Sequence, residues 1–201
     1  MTKERKMNEN NRMELRCIKP VKTDYQTRED GDKLIIEGYF AVFNSNYEIW
    51  DGLSESIAPE AFENTLNGDI RALTNHDTTL VLGRTANGTL TLSVDNFGLF
   101  GHIEINPKDS DALNTYERVK RGDVNQCSIG FEIVREESEV LSNGDVHWTI
   151  REVKLYEVSC CTFPAYEETT IQARCKQADE LKNKKLEAWK LNLKTKLKGE
   201  N

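Results

Sequence analysis

The chain has 201 residues, of which 37% are hydrophobic and 30% are charged, and its formal net charge is −7. A domain of this size, with room for a short appendage, buries a sizeable core and needs no disulfide or metal to fold. The acidic balance argues against a general nucleic-acid-binding protein, because the surfaces of such proteins are usually basic.

The first residues, 1–13, are polar and rich in Asn, Lys and Arg, so we expect them to be disordered. They lack the apolar stretch of a signal peptide, and no run approaches the ~18 apolar residues that cross a membrane. The five cysteines include no C-x-x-C pair, and Cys160 and Cys161 would point to opposite faces of a strand. We therefore expect reduced thiols in a cytoplasmic protein, with no membrane partner, no metal and no cofactor.

The first predicted strand is 34–43, "LIIEGYFAVF", which is rich in β-branched and aromatic residues. Residues 44–55 are predicted to form a loop. Residues 56–68 are predicted to form a short helix, because Pro59 suits a first turn and Gly68 follows the end.

A dense β region follows, in which short strand patterns are separated by turn residues. The patterns are "IRAL", "LVLGRT", "TLTLSV" and "GLFGHIEI". Asn87-Gly88 lies between the second and third patterns and is the strongest short-range hairpin signal. Asp95-Asn96 marks the next turn. We therefore expect consecutive hairpins here.

A helix is predicted over 109–122, because Asp109 or Ser110 can cap its start and Gly122 lies where a C′ glycine belongs. The strand "QCSIGFEIV" comes next, followed by a turn at "SNGD". The segment "VHWTIREVKLYEVSCCTF" then forms one long strand or two broken ones, ended by Pro164.

Strands outnumber helices in this pattern, and they are joined as hairpins. The chain is therefore predicted to be mainly β with helices (α+β), as a closed or half-closed antiparallel β-barrel surrounded by short helices.

The end of the chain, residues 176–201, differs in character. It carries eight Lys against four acidic residues, for about +4, and it places four apolar residues on one helical face. These are Leu186, Trp189, Leu193 and Leu197. Either a helix docked on the domain or a partner-binding or cleavable tail would fit. The predicted organisation is a disordered segment 1–13, a domain 14–175 and a basic helical tail 176–201.

Three residue types needed for serine proteolysis occur at suggestive places: a hydroxyl, a base and a group that orients the base. Ser128 shares a strand face with Gly130, while its apolar neighbours face the core. His76 lies at a strand end beside a polar loop. Glu157 interrupts an apolar strand, where alternation would place it on one face with Leu155. Each residue alone also fits an ordinary structural role.

The orienting role has three further candidates, which are Glu152, His147 and Asp77. Asp77 adjoins His76 in sequence, and neighbouring strand side chains diverge, so it is a poor orienting group. Cys127 adjoins Ser128 but would point the other way, which argues against a cysteine nucleophile.

Five segments within 34–171 resemble, in order and spacing, the prohead protease family of HK97-like bacteriophages. They are "GYFAVFNS", "ESIAPEAFENTL", "ALTNHDTTLVLGRTANGTLTLSVDNFGL", "RVKRGDVNQCSIGFEI" and "EVKLYEVSCCTFPAYEETTI". The combination of "NHD", "SIGF" and "YEVS" carries the resemblance.

The resemblance implies the fold of the herpesvirus assemblins, with Ser128 of "SIGF" as nucleophile and His76 of "NHD" as base. The herpesvirus enzymes have a second histidine where this chain has Glu157, so Glu157 is the implied third member and Glu152 the runner-up. The oxyanion stretch after Pro164 lacks the arginines expected there, and Arg151 and Arg174 are weak substitutes.

The implied function is a serine endopeptidase of procapsid maturation. Its implied partners are the major capsid protein and the scaffold protein of a tailed phage, inside procapsids assembling in the host cytoplasm. Self-cleavage and a homodimer are left open, and direct nucleic-acid binding is not expected. The alternatives are a catalytically inactive capsid-assembly factor of the same fold and an unrelated β-barrel binding domain.

Overall fold

The computed structural model describes residues 14–18, 26–30, 33–163 and 168–198, so the predicted disordered segment 1–13 lies outside the described residues. The described chain is mainly β with two α-helices, as predicted from the sequence. The strands and helices are β1 Glu14–Ile18, β2 Gln26–Asp30, β3 Lys33–Val42, β4 Tyr47–Trp50, β5 Leu53–Ile57, β6 Arg71–Thr74, β7 Asp77–Arg84, β8 Leu90–Val94, β9 Gly98–Ile105, α1 Ser110–Arg121, β10 Gln126–Val140, β11 Val146–Cys161 and α2 Glu168–Lys198.

The strands form two sheets. One has seven strands in the order β1-β10-β11-β5-β4, with β6 beside β11 and β7 beside β6. The other has four antiparallel strands in the order β2-β3-β9-β8. Among the described strands the ladders do not close, so the barrel stays a prediction.

Two strand pairs are parallel, so the expectation of purely antiparallel pairing is wrong. Both β5 and β6 pair parallel with β11, at its start and near its end. They lie one after the other along the same edge of the long strand. The chain between them contains a 3-10 turn at Pro59–Phe62 and continues in one direction instead of reversing.

Two local predictions need correction. The predicted loop 44–55 contains β4 and β5, in which Tyr47, Ile49 and Leu53 are buried. In the predicted helix 56–68, the first two residues belong to β5, and the rest forms the 3-10 turn followed by further turns. These short elements form because their apolar side chains reach the core, which local propensity does not report.

The Asn87-Gly88 turn forms, with Gly88 at φ 77°, but the predicted hairpin around it is wrong. The strand β7 pairs with β6, whereas β8 pairs with β9 in the other sheet. The turn therefore carries the chain from one sheet to the other. By contrast, the predictions for α1 are confirmed: Asp109 accepts from two backbone N–H groups, and Gly122 ends the helix at φ 89°.

The main core lies between the two sheets and contains fully buried side chains of both, such as Phe40 and Ile103 from one and Ile129 and Val158 from the other. A smaller cluster around Trp148 holds the first half of α2. No helix in the described ranges is long and apolar enough to cross a membrane.

The helix α2 runs through the predicted boundary at residue 175 without a break. Its early residue Ala178 is buried, whereas Leu186, Trp189 and Leu193 are exposed. Three of the four residues of the apolar stripe predicted from the sequence, Leu186, Trp189 and Leu193, therefore face solvent in the isolated chain, whereas the part of the helix around Ala178 and Leu181 packs on the domain.

Candidate active site

The pairing of β10 with β11 brings Ser128 and Glu157 to one face of the large sheet. In this antiparallel ladder Ser128 lies opposite Ser159, and Gly130 lies opposite Glu157. Directly opposed residues in such a ladder project to the same side. Because the intervening Ile129 packs in the core, Ser128 and Gly130 face away from it, as the alternation predicted.

A β-bulge turns Glu157 toward this face. The register moves from Gly130 opposite Glu157 to Phe131 opposite Leu155, which leaves Tyr156 as an extra residue on β11. Leu155 belongs to the main core. The expectation that Glu157 shares a face with Leu155 is therefore wrong, because the extra residue breaks the alternation between them.

His76 lies in the tight turn between β6 and β7. Asn75 and His76 both have positive φ, at 51° and 61°, which is uncommon for residues other than glycine. The turn is tied to the end of β11: the Asn75 N–H donates to the Cys160 carbonyl at 3.0 Å, and the Thr162 N–H donates to Asn75 Oδ1 at 2.9 Å. Strained backbone of this kind often occurs at functional sites.

The turn places the His76 ring against Glu157. Nδ1 of His76 lies 2.7 Å from Oε1 of Glu157, and their side chains are 17% and 4% exposed. A carboxylate so deeply buried requires hydrogen-bonding partners. If Nδ1–H donates to the carboxylate, Nε2 keeps its lone pair and can accept a proton.

Ser159 completes the contacts of this pair. Its hydroxyl donates to Oε2 of Glu157 at 2.5 Å and accepts from the backbone N–H of His76 at 3.2 Å. Cys161 lies on the same side, with Sγ 3.9 Å from Nε2 of His76. Sequence reasoning gave neither residue a role, although their spacing from Glu157 put both on its face.

Ser128 is fully buried. Its strand, β10, pairs with β11 along one edge and with β1 along the other, where Cys17 lies opposite Ser128. Hydroxyl, imidazole and carboxylate thus share one region of the sheet, but the hydroxyl is shielded from solvent in this conformation.

The other candidate orienting groups are engaged elsewhere. Asp77 accepts from the backbone and the hydroxyl of Thr79, and these hydrogen bonds lower its pKa. Glu152 accepts from Asn64 at 3.0 Å. Both ring nitrogens of His147 contact serine hydroxyls of β5 at 2.9 Å. None of these contacts involves the His76 ring.

The arginines considered for the oxyanion are also engaged. Arg151 pairs with Glu60 and Glu137, and Arg174 pairs with Glu136. The stretch after Pro164 that could supply backbone donors lies, at 164–167, outside the described residues. Within the described residues no group of three or more His, Cys, Asp or Glu side chains could hold a metal ion.

Comparisons with known proteins agree with this chemistry. The family described as Caudovirus prohead serine protease matches residues 21–184. The prohead protease of Enterobacteria phage HK97 is 30% identical over 155 residues, which is 75% of this chain and 64% of that protein. The chain therefore spans less than two thirds of the length of that relative. No solved structure matches significantly.

Proposed function

Because the chain belongs to the prohead serine protease family of tailed bacteriophages, we propose that it is a serine endopeptidase with Ser128 as nucleophile, His76 as general base and Glu157 as the orienting carboxylate. The observation that carries the proposal is the 2.7 Å contact between His76 and Glu157 on the face of the sheet that also holds Ser128. A base, a group that fixes its tautomer and an adjacent hydroxyl are the elements of acyl transfer.

The proposed reaction follows from these positions. Nε2 of His76 takes the proton of Ser128 as Oγ attacks the scissile carbonyl, and it then gives this proton to the leaving amine. A water molecule then attacks the resulting acyl-enzyme, and His76 takes the proton of this water as general base. The Glu157 carboxylate stabilises the imidazolium that forms in each step. Backbone N–H groups would have to stabilise the oxyanion.

The proposed substrates are the scaffold protein or the scaffolding segment of the major capsid protein, cleaved inside a procapsid that assembles in the host cytoplasm. The protease itself is a further candidate substrate. An assemblin-like barrel and a homodimer are parts of the same proposal. Because Ser128 is fully buried, peptide entry requires the site to open, and we propose that assembly into the procapsid or high local concentration promotes this opening.

The buried nucleophile also favours the rival function, a catalytically inactive assembly factor of the same fold. Intact mass over several hours at high protein concentration, with wild type against Ser128→Ala, distinguishes the two. Truncation of the wild type alone supports the protease. If neither is cut, the two proteins are co-expressed with the cognate capsid protein. Capsid protein that stays uncut but binds the chain would support the assembly factor instead.

A further inference from the structure

Ser159 contacts both members of the His76–Glu157 pair. We propose that Ser159 is a positioning residue, which holds the base and its carboxylate in the working geometry without contacting the substrate. The proposal deepens the function above and rests on it, because it assigns a part in the same site.

The contacts form a closed ring of hydrogen bonds. The His76 backbone N–H donates to Ser159 Oγ at 3.2 Å, and this hydroxyl donates to Oε2 of Glu157 at 2.5 Å. The other carboxylate oxygen, Oε1, lies 2.7 Å from Nδ1 of the His76 ring. This closed set of hydrogen bonds therefore begins and ends at His76, and it holds this residue at its backbone and at its side chain.

The directions of these bonds are fixed by the donors available. The backbone N–H can only donate, and an ionised carboxylate can only accept. The single hydroxyl proton of Ser159 therefore points to Glu157, while its lone pairs receive the N–H of His76. Glu157 then accepts at both oxygens, which leaves Nδ1 of His76 as the donor and Nε2 as the acceptor of the nucleophile's proton.

The hydrogen bonds of Ser159 stabilise a backbone segment that has an uncommon conformation. His76 has φ 61°, and Asn75 before it has φ 51°. Such conformations persist only where surrounding contacts hold them. Ser159 is fully buried on β11, a strand paired with other strands along both edges, so it provides a fixed point for both the turn and the carboxylate.

The alternative is that the hydrogen bonds of Ser159 only stabilise the fold and do not affect catalysis. Thr65 offers a matched control, because its buried hydroxyl accepts from the backbone N–H of Leu155 at 2.7 Å, a hydrogen bond that involves neither His76 nor Glu157. Thr65→Val removes a hydroxyl that accepts from a backbone N–H, as Ser159→Ala does. A purely structural role predicts that both variants lose stability and that neither changes the chemical step.

The first measurement is the labelling of Ser128 by a fluorophosphonate probe in the full chain, with the limiting rate and the half-saturating probe concentration determined separately. We expect Ser159→Ala to lower the limiting rate about 10- to 100-fold, as for loss of a hydrogen bond to a charged group, with little change in half-saturation. Ser159→Thr keeps the hydroxyl and should recover most of the rate. A folded Ser159→Ala protein that labels at the wild-type limiting rate would overturn the proposal.

The second measurement is the imidazole Nδ1–H proton resonance of His76, assigned by its loss in His76→Gln. It should be protected from exchange in wild type, Ser159→Thr and Thr65→Val, and lost in Ser159→Ala. This readout does not need catalysis. Absent labelling of the wild type both at high protein concentration and after co-expression with the cognate capsid protein would count against the protease function, because Ser128 is buried in the isolated chain. The resonance would still decide whether Ser159 positions His76, and its persistence in Ser159→Ala would refute that role.

Discussion

His76 and Glu157 are 81 residues apart in the chain, yet Nδ1 of one lies 2.7 Å from Oε1 of the other. The histidine comes from the turn between β6 and β7, and the glutamate follows a bulge in β11. The parallel pairing of β6 with β11 brings these two places together, because Glu157 itself pairs with Arg71 at the start of β6. The geometry of the candidate base is therefore set by sheet topology.

Replacing Glu157 by Gln should slow the chemical step strongly. The variant keeps the shape of the side chain but loses the charge that stabilises the imidazolium, and its NH₂ group cannot accept from Nδ1–H or from Ser159. We expect the limiting rate of Ser128 labelling by a fluorophosphonate to fall on the order of 10²- to 10⁴-fold.

The matched control is Glu152→Gln, whose side chain contacts Asn64. It should label at the wild-type rate. If Glu152→Gln were slow and Glu157→Gln fast, the orienting role would belong to Glu152.

Replacing Gly130 by Ala should disturb the site from the neighbouring strand. A Cβ at this position would overlap the carboxylate of Glu157, far inside van der Waals contact. The carboxylate must therefore move away from His76 or the strands must separate. We expect a loss of about 1–3 kcal/mol in the free energy of unfolding, measured in urea, together with a slower labelling of Ser128.

Gly144→Ala separates these two effects. Gly144 has φ 93° with nothing within 4 Å of an added Cβ, so the substitution strains the turn between β10 and β11 without touching the site. It should lower stability but leave labelling per folded molecule unchanged. A Gly130→Ala protein with unchanged labelling would show that Glu157 does not need its present position.

Features that depend on local sequence were predictable. The cap at Asp109, the C′ glycine at Gly122 and the alternation around Ser128 and Ile129 are all confirmed, because each depends on a few neighbouring residues. The residue types of the candidate site were also visible, since Ser128, His76 and Glu157 stand in recognisable segments.

Features that depend on distant packing were not predictable. No local signal marks Tyr156 as an extra residue in its strand. The regular alternation of side chains therefore predicted, wrongly, that Glu157 and Leu155 share a face. The strands β4 and β5 read as a loop because their apolar residues are few, and only burial against the sheet stabilises them. The role proposed for Ser159 likewise needs the bulge and the turn together.

Replacing Arg174 by Ala should release the helix α2 from the domain. Its buried guanidinium forms two hydrogen bonds with Glu136, at 2.7 and 3.0 Å, and lies 4.7 Å from the centre of the Trp148 ring. Arg174 also lies 3.6 Å from the carboxylate of Glu55, whose side chain is 3% exposed. Removing Arg174 leaves this buried charge uncompensated, so we expect a loss of about 3–5 kcal/mol in the free energy of unfolding. Urea unfolding and the hydrogen exchange of α2 amides provide the measurements.

Lys190→Ala is the control on the same helix, since its ion pair with Glu187 is exposed. Exposed pairs of this kind contribute roughly 0–1 kcal/mol, so stability should hardly change. Equal unfolding midpoints for Arg174→Ala and wild type would show that other contacts hold the helix.

His147 should make the stability of the protein depend on pH. Burial lowers the pKa of this histidine, although Glu139 and Glu55 act in the opposite direction. Because the folded pKa lies below the unfolded value of about 6.5, the unfolded chain binds more protons just below that pH. The contribution of His147 is therefore fully present above about pH 6.5 and is lost as the pH falls toward its folded pKa.

The measurement compares wild type with His147→Gln in urea at several pH values between about 5 and 8. At pH 8 the variant should be less stable by about 1–2 kcal/mol, because the contacts of the ring with Ser54 and Ser56 are weakened. This gap should narrow as the pH falls, since only the wild type then loses stability through His147. His102→Gln provides the control background. The difference in stability between His102→Gln and the His102→Gln/His147→Gln double variant should narrow with falling pH in the same way, because the effect belongs to His147. A gap that stays constant across the range would mean that His147 is equally easy to protonate in the folded and unfolded chain.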